Sequence, residues 1–266
     1  MSFRAKKNLN RSGLRHALTL SSVIFLFSLC VALSFLVLMS VLHVWSQQDE
    51  TFYLQTIHEQ IKHAQVEIEA SPRDPRLLTK LAGLYLNLGA VKQGSIEQRI
   101  SFHEQGAQLA KRALTIQETL ADAHFYYAAN LGSATQLKGM MASAFVVQEL
   151  KSHANRALEL QHDHVPALHM LGRIFDELPW FLGGDEELAL QYMERAVAID
   201  EHDVHVRLDL AKLYIKRDHV HAAKRELEKI VTENSQKQDW MWKRYYQPEA
   251  TELLTELQSY DDADQE

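Results

Sequence analysis

Histidine is the residue through which this sequence could do most chemistry, with 14 among 266 residues. His162-Asp163-His164, His202 with His205, and His219 with His221 fall on turns between helical stretches. Zinc wants ligands held on rigid elements or in Cys-rich loops of set spacing. The one cysteine, Cys30, sits inside an apolar run, so these turns read as solvated surface. No metal ligand and no cofactor is expected. His169, one turn before Arg173, reads as a groove residue. A single Cys also means no disulfide within the chain and leaves the redox compartment open. There is no Gly-x-Ser-x-Gly elbow, phosphate loop, His-Glu-x-x-His or dinucleotide glycine pattern. Glu and Asp are scattered over amphipathic stretches, the pattern of solvated faces, not of acid–base pairs. The expectation is a protein that is not an enzyme.

What remains is a surface, and the elements that must build it. From Val165 to Glu201 the sequence reads as two helices joined by an apolar hinge, Leu178-Pro179-Trp180-Phe181-Leu182-Gly183-Gly184-Asp185. Ala167, Leu168, Leu171, Gly172 and Phe175, then Ala189, Met193 and Ala196, recur at the three- and four-residue spacing of a buried helix face. Gly172, Ala189 and Ala196 are small enough to let the two axes approach closely. This is the tetratricopeptide (TPR) pattern of Leu-Gly, aromatic, Ala, bulky residue, Ala. One such hairpin leaves its outer faces uncovered and needs neighbours. They are present: Leu81-Ala82 with Tyr85, Tyr127-Ala128 with Leu131, and Leu210-Ala211 with Tyr214 each open a similar unit. Only the last keeps the plain 34-residue period. The others carry extra residues between their helices, at Leu88–Ser101, Gly132–Phe145 and Glu177–Asp185, and these are expected to emerge on one edge as binding loops.

Asp74-Pro75 reads as an N-cap and first turn, and residues 52–70 as a lead-in helix ended by Ser71-Pro72. After the repeats, Trp240, Met241, Trp242, Tyr245, Tyr246 and an amphipathic Ala250–Leu257 read as a capping helix, followed by a solvated acidic end. Strand signals are weak throughout. The fold expected is all-α: an N-terminal transmembrane helix, then a TPR-like superhelix of about four hairpins and a C-terminal cap. The segments are 1–16 basic, 17–45 anchor, 46–72 stalk, 73–235 repeats and 236–266 cap and tail.

The anchor rests on Leu18 to Leu42, which holds no charged residue. Its 25 residues span about 37 Å as a helix, against about 30 Å of hydrocarbon. That is too long for a cleaved signal peptide. Five basic residues and no acid precede it, and Asp49 and Glu50 follow. The positive-inside bias puts the N-terminus in the cytoplasm and the body across the membrane. With a net charge of −7, everything after residue 16 carries about −12, the wrong sign for nucleic acid.

Ala128-Ala129-Asn130-Leu131-Gly132, Gln136-Leu137-Lys138-Gly139, Leu171-Gly172-Arg173 and the Leu178–Asp185 hinge resemble the TRAP-transporter T-component family, periplasmic proteins with cryptic TPR repeats. That resemblance, over about Pro72 to Asn234, implies a solute-binding protein as partner, assembly into a ring, and placement at the bacterial inner membrane with the repeats in the periplasm. An uncleaved helix stands here in place of the usual lipid-modified Cys. Glu177-Leu178-Pro179-Trp180 also resembles the TPR-like regulators of microtubule dynamics, the lesser of the two resemblances. Counting from the Leu-Gly marks, the partner groove is expected to include Asn87, Phe125, His169, Arg173, Lys212 and Lys216, with Tyr126, Asn130 and Lys138 beside them. This basic, aromatic set inside an acidic body suits a peptide or an acidic patch of a protein partner. Two other functions fit the same sequence. One is an envelope chaperone or assembly scaffold. The other is a carrier whose apolar insertions, Phe145-Val146-Val147 and Trp180-Phe181-Leu182, wall a small-molecule or lipid cavity.

Overall fold

Capping side chains set half of the helix starts. Asp74 accepts from the backbone N–H groups of Arg76 and Leu77, with Pro75 at the first helical position. Ser95 and Gln98 cap each other reciprocally. Asp185 and Asp203 repeat the Asp74 arrangement on later helices. Each satisfies N–H groups that a helix leaves without partners, worth about 1 kcal/mol apiece. The computed structural model describes residues 50–91, 94–232 and 241–263. Contacts divide the chain into residues 1–52 and 53–266, and only the start of a helix is described in the first unit.

Among the described residues there are ten α-helices and no strand. They are α1 (50–70), α2 (Pro75–Ala90), α3 (Ile96–Ile116), α4 (Ala121–Lys138), α5 (Met140–Leu160), α6 (Val165–Glu177), α7 (Glu186–Ile199), α8 (Val204–Lys216), α9 (Val220–Thr232) and α10 (Gln247–Ala263). A 3-10 turn, Trp180–Leu182, joins α6 to α7, and a π-helical turn, Trp242–Tyr246, precedes α10.

Four antiparallel hairpins follow one another: α2/α3, α4/α5, α6/α7 and α8/α9. Their first helices touch in succession, α2 with α4, α4 with α6 and α6 with α8, and so line one face of the stack. Small residues bring the axes together as their spacing predicts. A Cβ on Gly172 would lie 2.7 Å from the Met193 side chain and 3.3 Å from the Ala189 carbonyl oxygen. Ala189 and Ala196 are fully buried.

At one end, Ile57, Ile61 and Ala64 of α1 pack on Leu81, Tyr85 and Leu88 of α2. At the other, Trp242, Tyr246, Ala250 and Leu257 cover the α8/α9 hairpin, and the Trp242 indole N–H donates to the Ile230 carbonyl at 2.8 Å.

The extra residues within the first two hairpins are not loops. Residues 132–145 are helical except Gly139, whose φ of 114° reverses the chain in one residue. Most of residues 88–101 belong to α2 and α3. The cause is local: Gln, Ala, Leu and Met fill these stretches and favour helix, so the insertions lengthen helices. α3 and α5 have 21 residues against 13 in α8 and α9, an overhang of about 12 Å at 1.5 Å per residue. No described helix is long and apolar enough to cross a membrane. The apolar run at residues 18–42, with Cys30, and also Trp45 and Trp240, lie outside the described residues.

Candidate functional site

On the face lined by the first helices, α6 and α8 bring four charged or titratable side chains around one carboxylate. Asp209 of α8 accepts from the His169 Nε2–H of α6 at 2.8 Å. Its Oδ2 lies 3.7 Å from His205 Nε2, one helical turn earlier on α8, and 3.7 Å from Arg173 Nε. Lys212 Nζ is 3.9 Å from Oδ1. The His169 and His205 rings meet edge-on with centroids 4.7 Å apart, and Tyr246 of the π turn stacks on His205 at 5.4 Å. Burial alone would raise the Asp209 carboxyl. The hydrogen bond from His169 and the charges of His169, His205 and Arg173 outweigh it and hold the pKa at about 2. Burial lowers the pKa of His205, and the neighbouring His169 lowers it further. Desolvation also raises the Tyr246 phenol. The cluster thus holds one firmly ionised carboxylate, an imidazole kept neutral, and a protonated phenol.

The two cations of the cluster have closer partners. Arg173 donates to Glu177 at 2.5 and 3.1 Å, one turn along α6. Lys212 pairs with Glu249 of α10 at 2.6 Å. Lys216 bridges Asp176 at 2.8 Å and Glu186 at 2.7 Å, linking the ends of α6 and α7 to α8.

Of the groove residues read from the sequence, His169, Arg173 and Lys212 therefore converge on Asp209, and Lys216 sits toward the hinge. The others stand apart. Asn87 is exposed on α2. The Phe125 ring lies tilted against those of Tyr126 and His164, with centroids 5.2 and 5.4 Å away. The Tyr126 ring fills the space above Gly83. Lys138 pairs with Glu104 at 2.5 Å. Asn130 is not a groove residue: it is fully buried. Its amide donates to the carbonyls of Ala82 at 3.1 Å and Tyr126 at 2.9 Å, and its Oδ1 faces His103 Nδ1 at 3.3 Å. The reason is a close approach of helices. A Cβ on Gly106 would lie 2.5 Å from that Oδ1, so α3 and α4 meet at Gly106 and a polar side chain is enclosed between them.

Sequence position groups His205 with the turn histidines, gives Tyr246 to the cap and does not single out Asp209 or Glu249. His205 in fact lies in the first turn of α8. The signal is available: His205, Asp209 and Lys212 are spaced four and three apart, which places them on one helix face. Of the other turn histidines, His164 is buried as the N-cap of α6 and pairs with Asp122 at 3.0 Å.

The hinge is a compact turn. Leu182 and Gly184 N–H both donate to the Pro179 carbonyl, at 2.9 and 3.0 Å, and Asp185 N–H donates to the Phe175 carbonyl at 3.0 Å. Leu178 closes α6, and Asp185 caps α7. The turn points Trp180, Phe181 and Leu182 outward, 85%, 66% and 53% exposed. Phe145, expected to help wall a cavity with them, is 83% exposed on α5. Among the described residues these side chains face solvent and wall no cavity.

Known proteins agree with this architecture. Residues 182–240 match the tetratricopeptide repeat model. A thermophilic TPR protein of Thermus thermophilus superposes with a TM-score of 0.57 at 14% identity, over 77% of this chain and 98% of that one, a likeness of fold alone. Regulator of microtubule dynamics protein 1 of Pongo abelii is 27% identical over 54% of this chain and 51% of its own length. The Mus musculus protein of that name is 27% identical over 54% and 52%. The chain thus spans about half the length of these curated relatives. The similarity falls to the second of the two families that the hinge resembles, and the transporter component is not shown. Residues 43–178, just over half of the chain, match the family model Regulator of microtubule dynamics protein 1-3, and the chain belongs to that family.

Proposed function

We propose that this protein is a membrane-anchored helical-repeat adaptor that holds a segment of a protein partner on the face lined by its first helices. The carrying observation is the set of Arg173, Lys212 and Lys216, each in a partly exposed ion pair with a carboxylate of the same chain. Such pairs contribute only about 0–1 kcal/mol. An acidic partner segment can replace Glu177, Glu249 or Glu186 at small cost and add contacts of its own. A repeat scaffold and relatives named as regulators favour binding over catalysis. The basic segment before residue 17 and the apolar run at 18–42 support a single N-terminal anchor with its basic flank cytoplasmic and the repeats on the other side, which in a bacterial envelope is the periplasm. The relatives' name makes microtubule dynamics the process to test first. The Leu178–Asp185 hinge supports a narrower alternative, the solute-binding protein of a transporter.

The test is photo-crosslinking of the full chain in native membranes, from a photoreactive residue placed at Asn87. One recurrent protein species is expected. The double variant Arg173→Glu, Lys212→Glu should lower its yield about tenfold, the effect of about 1.4 kcal/mol, with the helical circular dichroism signal unchanged. Tubulin as that species would support a protein partner on this face but overturn the placement of the repeats across the membrane, and a solute-binding protein supports the alternative. A spread of unfolded clients, lipid without protein, or a yield untouched by charge reversal overturns the proposal.

A further inference from the structure

We infer that His169, His205 and Asp209 form a site for a divalent transition metal of the zinc class, between α6 and α8. Nothing in the family match or in the adaptor reading requires it. The three groups each offer one ligand atom, and these atoms all lie within 4.8 Å of one another. Zinc binds imidazole nitrogen at about 2.0–2.1 Å and carboxylate oxygen at about 2.0–2.2 Å, so a tetrahedral site needs ligand atoms roughly 3.4 Å apart. Here Asp209 Oδ2 is 2.8 Å from His169 Nε2 and 3.7 Å from His205 Nε2. The needed spacing falls between these two distances, and the two imidazole nitrogens, within 4.8 Å of each other, must close on the ion by side-chain rotation.

The ligands stand on rigid elements. His205 and Asp209 are four apart on α8, and His169 projects from the helix packed against it. Tyr246 stacked on His205 limits the ring's rotation. Two imidazoles and one carboxylate leave a coordination position free, as in catalytic or exchangeable zinc sites. Nitrogen donors select zinc, copper, nickel or iron, whereas calcium and magnesium prefer oxygen sets.

The nearby cations do not forbid a metal. Arg173 and Lys212 are 3.7 and 3.9 Å from Asp209, yet 2.5 and 2.6 Å from Glu177 and Glu249. Three carboxylates, Asp209, Glu177 and Glu249, stand against these two cations, an excess of one negative charge before the imidazoles are counted. The proton now shared between His169 and Asp209 is what the metal would displace.

The full chain, purified in detergent and stripped with a chelator, tests this by titration with Zn²⁺ against a chromophoric chelator, and with Co²⁺ as a spectroscopic probe. One equivalent of Zn²⁺ is expected to bind with a Kd of about 1 µM or tighter, and Co²⁺ should give the intense visible absorption of a four- or five-coordinate site. His205→Gln and Asp209→Asn should each weaken Zn²⁺ at least tenfold. The triple turn variant His162→Gln, His219→Gln, His221→Gln should bind as the native chain does. Should either site variant fail to fold, the Co²⁺ spectrum of the turn variant still decides: its survival supports the site and its loss overturns it. Absence of stoichiometric binding, or affinity unchanged in His205→Gln and Asp209→Asn, also overturns it.

Discussion

Gly184 has the Leu178 carbonyl oxygen where a side chain would begin. A Cβ there would lie 1.7 Å from that oxygen, a backbone atom with no freedom to yield. One residue earlier, Gly183 holds φ at 88°, a conformation that suits glycine. The hinge therefore depends on two glycines and on the Asp185 cap, whereas its three large apolar side chains face solvent and contribute little to it. Gly184→Ala should lower stability by roughly 2 kcal/mol or more, read as a clear fall in Tm. Trp180→Ala should stay within about 0.5 kcal/mol of the native chain. If Trp180→Ala proves the more damaging of the two, the indole is buried against something in the folded protein and the turn is not what holds the hairpin.

Between helices, the legible part of the sequence was apolar and small. Leu171, Gly172, Ala189, Met193 and Ala196 announced the α6/α7 pairing by their period alone, because one residue type repeated on one face has one physical use. Polar side chains enclosed between helices gave no such signal. Asn130 and His103 sit in close approaches opened by Gly106 and Gly89, and whether a helical Asn or His lies inside depends on which glycine of another helix it meets. The Asp209 cluster was half legible for a similar reason: His169, Arg173 and Lys212 lay at readable positions, while the histidine of α8 was masked by its closeness to a turn. His103 yields a prediction. It is 2% exposed, and burial pushes its pKa down. The folded chain thus keeps a neutral ring to lower pH than the unfolded chain, whose His titrates near pH 6.5. Above that pH neither state holds the proton and stability is indifferent to it. As the pH falls below it the unfolded state protonates first, and stability declines until the folded ring titrates. His153 is shifted the same way, by burial and then by the charge of His124. Asp122, held low by its hydrogen bond with His164, enters only nearer pH 4. Tm should therefore fall between pH 7 and pH 5, and His103→Gln should reduce that fall. A pH profile unchanged by the substitution would mean that the ring is protonated, or solvated, in the folded state.

Across the whole chain, a stack of hairpins bonds mainly to its neighbours, so damage at one end should remain there. The C-terminal cap makes this measurable. Trp242, Tyr246, Ala250 and Leu257 bury against Val204, Leu208, Ala223, Leu227 and Ile230 of α8 and α9. Each large side chain removed from such a contact costs about 1.5–3 kcal/mol as an upper figure. The same segment supplies Glu249 to Lys212 and Tyr246 to His205, so it also finishes the face that carries the charged cluster. A chain ending after residue 232 should lose backbone amide protection in α8 and α9 by hydrogen exchange, with the loss fading through α6 and α7. Protection in α2 to α5 should be kept, because those helices pack chiefly on their own neighbours. A uniform loss in every helix would show that the hairpins fold as one cooperative block, and no loss in α8 and α9 would show that the buried aromatic residues of the cap do not stabilise the last hairpin. With Glu249 gone, Lys212 keeps Asp209 as a carboxylate neighbour, 3.9 Å away in the intact chain. The shortened protein should therefore bind an acidic partner segment and Zn²⁺ with altered strength, even where α6 keeps most of its protection.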